Sequence, residues 1–131
     1  MKKDIASRKD IERLVNQFYE RVKADLLIGP VFTEIARVNW EKHLPLMCDF
    51  WENAILFTGT YQGNPMDLHK HLHKAMPLLQ EHFQQWNHLF ITTVDGLFSG
   101  EKALLAKQRA LKISAILQAE IIDNKHREHQ Q

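Results

Sequence analysis

The stretch Ile11-Glu12-Arg13-Leu14-Val15-Asn16-Gln17-Phe18-Tyr19-Glu20-Arg21-Val22 decides the fold class. Its apolar members Ile11, Leu14, Val15, Phe18, Tyr19 and Val22 recur at i, i+3, i+4, i+7, i+8 and i+11. That spacing gathers them on one stripe of an α-helix, whereas a strand would split them between its two faces. Ser7, with Asp10 three residues on, marks the helix start. The helix is expected to stop near Ile28-Gly29-Pro30, where glycine relaxes the backbone and proline can restart a short helix carrying Val31, Phe32 and Ile35.

The same periodicity continues on the C-terminal side. Between Asn39 and Thr58, His43, Leu46, Met47, Phe50 and Ala54 share an arc of roughly 100° on a helical wheel, so a histidine lies on a buried face. Pro45 would cost a hydrogen bond inside that helix, and the helix proper is therefore expected to begin close to His43. Gly59 to Pro65 reads as a loop, followed by a short helical piece from Met66 that contains His69, Leu72 and Met76 and ends at Pro77. Phe83, Trp86, Phe90, Val94 and Leu97 define another long helix, and Gly96 and Gly100 bracket a turn. Leu104, Leu111, Ile116, Leu117 and Ile121 run along a last one. The expectation is an all-α domain of four longer helices and two short ones, spanning residues 1–131, with 1–7 and the polar tail 123–131 frayed.

Composition narrows the function. A chain of 131 residues with 44% hydrophobic side chains suits one core. Seventeen Lys and Arg against 16 Asp and Glu leave a net charge of +1, which excludes a nucleic-acid polyelectrolyte and a disordered acidic tail. No run approaches the roughly 18 apolar residues of a membrane span. Cys48 is the single cysteine, so no intramolecular disulfide forms, and the opening to Ile11 lacks the apolar centre of a secretory signal. A reducing cytoplasm is the expected compartment. Eight His, 3 Trp, 2 Tyr and 7 Phe in so small a chain call for a further explanation.

His69, His71 and His73 alternate, which spreads them over about 200° of a helix. They cannot ligate one ion together on that reading, and lone Cys48 adds no thiolate pair for structural zinc. His82, His88, His126 and His129 read as surface residues. His43 and His69 differ, because each sits among apolar neighbours on consecutive helices joined by a tight loop. A single buried histidine is most often a satisfied core residue. Two facing ones, with Tyr19, Trp51 and Trp86 also on inward faces, each need a partner for a buried polar tip. A flat aromatic cofactor with a metal at its centre supplies one, and haem held by a histidine in a helical pocket uses all these features.

Six ordered pieces then carry a resemblance. Phe18-Tyr19-Glu20-Arg21-Val22, Gly29-Pro30-Val31-Phe32, Trp40 followed by His43, Asp49-Phe50-Trp51, Tyr61-Gln62-Gly63-Asn64-Pro65 leading to His69, and His82-Phe83 followed by Trp86 and Leu89-Phe90 together resemble the group III truncated haemoglobins over about Ile11 to Ile122. The resemblance implies a two-over-two helical sandwich and a haem whose iron is bound by His69. It places Tyr19, His43 and Trp86 on the distal side, Phe32 against the porphyrin, and Met47 and Phe50 at the ligand and the haem edge. Leu46, Trp51 and Leu72 complete the expected pocket. His71 and His73 crowd the proximal segment, and His73 is a candidate contact to a haem propionate.

No Cys-x-x-Cys-His occurs, so the haem is expected to be non-covalent haem b. The expected function is binding of O2, NO, CO or peroxide at a five-coordinate iron in a polar distal pocket. The alternative is a haem-dependent redox enzyme that detoxifies nitric oxide or performs peroxidase-type chemistry. No Gly-x-Gly-x-x-Gly stretch is present, so any reductase is expected to be a separate protein. A haem-free helical interaction module is the bland competitor, and neither nucleic acid nor membrane is an expected partner.

Overall fold

A computed structural model describes residues 2–32, 39–59 and 80–129, with side chains of the last stretch described as far as 119. Among these residues there are four helices and no strand: α1 (Arg8–Ala24), α2 (Trp40–Leu56), α3 (Gln80–Leu97) and α4 (Glu101–His129). The expected short helix from Met66 lies outside the described residues. A short helical turn does begin at 29–32.

The stripe on α1 becomes its core face, with Ile11, Leu14, Val15, Phe18, Tyr19 and Val22 each at most 2% exposed. Burial of each such side chain contributes about 1.5–3 kcal/mol, far more than helix propensity does. Ser7 is the N-cap residue as expected, but its side chain makes no cap bond. The Asp10 carboxylate does the work instead, accepting from the Ala6 N–H at 2.9 Å and pairing with Lys3 Nζ. At the other end α1 stops at Ala24, several residues before the expected Ile28. Asp25 is the reason, because its Oδ1 accepts from the N–H groups of Leu27 (2.9 Å) and Ile28 (3.0 Å) and turns the chain. The chain then packs back on the end of α1, where a Cβ on Gly29 would lie 2.7 Å from the Lys23 carbonyl oxygen.

In α2 the helix begins at Trp40, so Pro45 lies inside it and not in a first turn starting at His43. Proline removes the N–H that would reach the Glu41 carbonyl, and Glu41 faces solvent, where water can take that bond. The cost of the proline is thereby limited. Gly96 likewise sits within α3, and the turn to α4 is confined to 98–100, with Gly100 at φ 139°.

That turn is where the N-terminal residues go. The Asp4 carboxylate accepts from the Lys102 and Ala103 N–H groups, both at 2.9 Å, capping the first turn of α4. The Ser99 N–H donates to the Lys3 carbonyl at 3.0 Å, and Ile5 is 2% exposed. Residues 2–7 are therefore tied down where fraying was expected, and helix α4 runs through His129, past the expected fraying point at Asp123.

The helices close a ring: α1 packs on α2 and α3, α4 packs on α3 and α2. The result is the two-over-two sandwich, α1 and α2 crossing α3 and α4. Its centre is aromatic. Phe18 meets Phe90 edge-on at 5.1 Å between centroids, and Phe90 is stacked between Trp51 (4.7 Å) and Trp86 (5.6 Å). None of the helices of the described residues is long and apolar enough to cross a membrane.

Candidate functional site

Three helices of the sandwich each deliver a polar tip to the interior because their buried faces include one. On α1 the buried face is two residues wide, so Tyr19 follows Phe18 inward with its ring 4.9 Å away. On α2 the positions i, i+3, i+7 and i+11 from Trp40 place His43, Met47 and Trp51 on the buried side. On α3 Trp86 lies between Phe83 and Phe90 on the same face.

These elements bring Tyr19 and His43 together, with ring centroids 5.1 Å apart and planes at 83°. Phe32 approaches Tyr19 at 6.4 Å, and Trp40 touches Tyr19 (5.4 Å) and His43 (5.6 Å). Trp86 lies on the other side of Phe18, edge-on at 5.3 Å. Tyr19, His43 and Trp86 are all buried, and His43 Nε2 and Trp86 Nε1 are sealed from solvent. Burial pushes the Tyr19 phenol up, and the neighbouring Cys48 adds to this, so it remains a protonated donor at neutral pH. The Cys48 thiol is itself pushed up to about 11 by burial, and it stays an inert protonated group.

Of the residues expected to line a pocket, Tyr19, Phe32, His43, Met47, Trp51 and Trp86 are buried and Phe50 is half-buried. Leu46 stands apart, 52% exposed on the outer side of α2. Trp51 stacks on Phe90 in the aromatic centre of the core. His69, Leu72 and His73 lie outside the described residues. His82 was expected at the surface and is instead buried, because it opens the inward face of α3 one turn before Trp86; His88 is exposed as expected.

Three residues outside that expected set shape the site. Phe18 and Phe90 stood in the sequence as stripe members and in the family motifs without a role at the site, yet they pack against Tyr19 and Trp86. Trp40 precedes His43 by one helical turn, the spacing that could have marked it as a pocket wall.

The arrangement is a phenol and an imidazole enclosed by apolar rings, with the Trp86 indole N–H beside Phe18 as a further donor. In a dry surrounding such donors hold a small polar or partly charged ligand more strongly than in water.

The comparisons agree with this architecture. No protein-family model matches the chain. A group 3 truncated haemoglobin of Campylobacter jejuni subsp. jejuni is 30% identical over 121 residues, 90% of this chain and 93% of that protein. The crystal structure of a group III truncated haemoglobin from Campylobacter jejuni superposes with a TM-score of 0.79 at 28% identity, covering 92% of this chain and 95% of that one. With the two-over-two sandwich and near full-length similarity in both sequence and structure, the chain belongs to the group 3 truncated haemoglobins.

Proposed function

We propose that this chain binds O2 and other small diatomic ligands at a five-coordinate haem b, with His69 as the axial ligand and Tyr19, His43 and Trp86 as distal donors. The observation that carries the reading is the buried Tyr19–His43 pair, two polar rings 5.1 Å apart inside an aromatic wall. Membership of the family implies haem, and the residues present fit its distal half. Tyr19 borders Phe32, and Met47 is buried one turn after His43 on α2, apolar groups suited to a flat ring system.

Haem, when bound, supplies an iron with one position open to a diatomic ligand. Tyr19 would donate its hydroxyl to such a ligand, since burial keeps the phenol protonated. His43 donates or accepts at Nε2 from the facing helix, and the Trp86 indole N–H serves as a donor from α3. Phe18 and Phe90 exclude water from behind these groups, which strengthens each hydrogen bond. The proposal extends to a single haem domain over 1–131.

Turnover of nitric oxide or peroxide is a second reading, favoured by the imidazole of His43 in ring contact with Tyr19, since histidine is the side chain most often used for general acid–base help. It requires electrons from a separate reductase. Turnover with a defined reductant separates it from binding.

The purified chain, or the chain mixed with hemin, is expected to give a Soret band, and His69→Ala to lose haem or its five-coordinate spectrum while His71→Ala keeps both. A chain that gives no Soret band with hemin refutes the haem reading. Loss on His71→Ala with retention on His69→Ala moves the axial ligand.

A further inference from the structure

Tyr19 and His43 are each one helical turn from a residue that reaches the other helix. Lys23 follows Tyr19 by four positions on α1, and Trp40 precedes His43 by three on α2. The two meet over the donor pair: Lys23 Nζ lies 4.8 Å from the centroid of the Trp40 ring, within the range of a cation–π contact. Glu20 Oε1 holds the same ammonium at 3.1 Å. Of the rings against Tyr19, Phe18 and Phe32 are buried, and Trp40 reaches solvent. The indole therefore stands between the donors and the outside.

The backbone leaves this position to the side chain. Trp40 is the first residue of α2, so its own N–H has no partner within the helix, and the N-cap residue Asn39 makes no side-chain cap bond. Among the described residues, Tyr19, His43 and Phe32 (6.2 Å) on the inside and Lys23 on the outside hold the indole.

We propose that Trp40, latched by Lys23, is a positioning residue that holds the Tyr19 phenol and the His43 imidazole as a paired donor set and closes the solvent side of the ligand pocket. The inference rests on the haem-ligand reading above and adds a determinant of ligand entry and retention that lies outside the donors themselves. Displacing the indole opens a path from solvent to Tyr19 and frees both donor rings to turn. The latch joins α1 to α2 by one ammonium and one ring, so removing the charge weakens closure and loosens the donor rings while the helices and the donor side chains themselves are retained.

The test uses the haem-loaded protein with CO as the probe. Lys23→Met keeps most of the side-chain stem and removes the charge; it is expected to raise the CO association rate about two- to five-fold, the factor that an exposed cation–π contact carries. It is also expected to broaden the C–O stretching band, because the donors no longer hold one arrangement. Lys23→Arg restores the cation and is expected to return both readouts to the wild-type values. Trp40→Phe, a milder change than truncation should Trp40→Ala fail to fold, is expected to lie between wild type and Lys23→Met in band width and above wild type in rate. Tyr19→Phe serves as the control. If it shifts the C–O band while Lys23→Met and Trp40→Phe leave rate and band unmoved, Trp40 only fills space and the inference is overturned with the haem reading intact. Absence of a Soret band overturns both together.

Discussion

Replacing Asp4 by alanine is expected to destabilise the domain by about 1.5–2.5 kcal/mol, the sum of a lost helix cap and a lost charge at a helix N-terminus. The structure sets the terms of that sum. One carboxylate accepts three backbone N–H bonds, from Ile5 at 2.8 Å and from Lys102 and Ala103 at 2.9 Å each. Alanine leaves the first turn of α4 with two donors unsatisfied and releases the segment that buries Ile5. For a chain of this length about 1 kcal/mol moves the melting midpoint by roughly 3–4 °C, so the drop should be about 5–10 °C. Asp4→Asn keeps an acceptor and drops only the charge, and should cost about 0.3–1 kcal/mol.

Gly100→Ala tests the same joint from the other side. It places a Cβ 2.5 Å from Asp4 Cγ at a backbone φ of 139°, so it is destabilising by itself. In the Asp4→Ala background part of that clash is gone, and the double variant should lose less than the two single losses added together. Circular dichroism at 222 nm during thermal unfolding at pH 7 measures the wild type and the four variants. An Asp4→Ala midpoint within about 1 °C of wild type, or strict additivity with Gly100→Ala, refutes the capping argument.

Three further outcomes are expected. Asp4, Asp10 and Asp25 are each buried enough to raise their carboxyls, yet hydrogen bonds from backbone and side-chain donors outweigh this and hold all three below the ordinary value of 3.8. Their contribution is therefore complete above that value and is lost as pH falls through the folded-state pKa values; urea midpoints that stay level from pH 5 to about pH 2.5 would contradict it. Tyr19→Phe should speed O2 release from the loaded protein by at least several-fold, with about 10- to 150-fold as the limit for a donor to a partly charged ligand, because His43 and Trp86 remain; an unchanged off-rate in stopped flow removes Tyr19 as principal donor. Phe90→Ala, in a fully buried position touching Phe18, Trp51 and Trp86, should cost about 3–5 kcal/mol in chemical denaturation, and a loss under about 1 kcal/mol would show that the stack is not the centre of the core.

The helices were legible where one chemical rule acted alone. The Ile11–Val22 stripe and the Phe83–Trp86–Phe90 run repeat with the helical period and burial followed it, whereas on α2 the buried face is His43, Met47, Cys48, Trp51 and Ile55, turned from the expected arc so that Leu46 is exposed and Phe50 and Ala54 are half-buried. Reading faltered where two residues competed for one backbone group or where the partner lay far along the chain. Ser7 marked the start of α1, but which side chain would accept the free N–H groups depended on Asp10 and Lys3 meeting in space. Asp25 ended α1 early by a bond to its own next residues, a local rule outweighed at first sight by the Gly29-Pro30 pair. Nothing local to Asp4 announces Lys102, since a bond spanning 98 positions leaves no periodic trace. His82 was misread because a residue at the edge of a helical face is buried or exposed according to what packs beside it. For the site, Tyr19, His43 and Trp86 could be picked out as inward polar tips, while nothing local to Lys23 signals its contact with the Trp40 ring on the next helix.

Pro45 has a consequence for motion as well as for helix geometry. Without its N–H, the turn that carries Trp40 and His43 is joined to the rest of α2 by one fewer backbone bond, on the side where Glu41 meets water. That turn can open as a small cooperative unit at a free-energy cost well below global unfolding, while Met47 to Leu56 stay helical. Amide hydrogens at 43 and 44 should accordingly exchange with deuterium through local fluctuation, ahead of those at 51–55, so that the histidine side of the pocket breathes on a scaffold that does not.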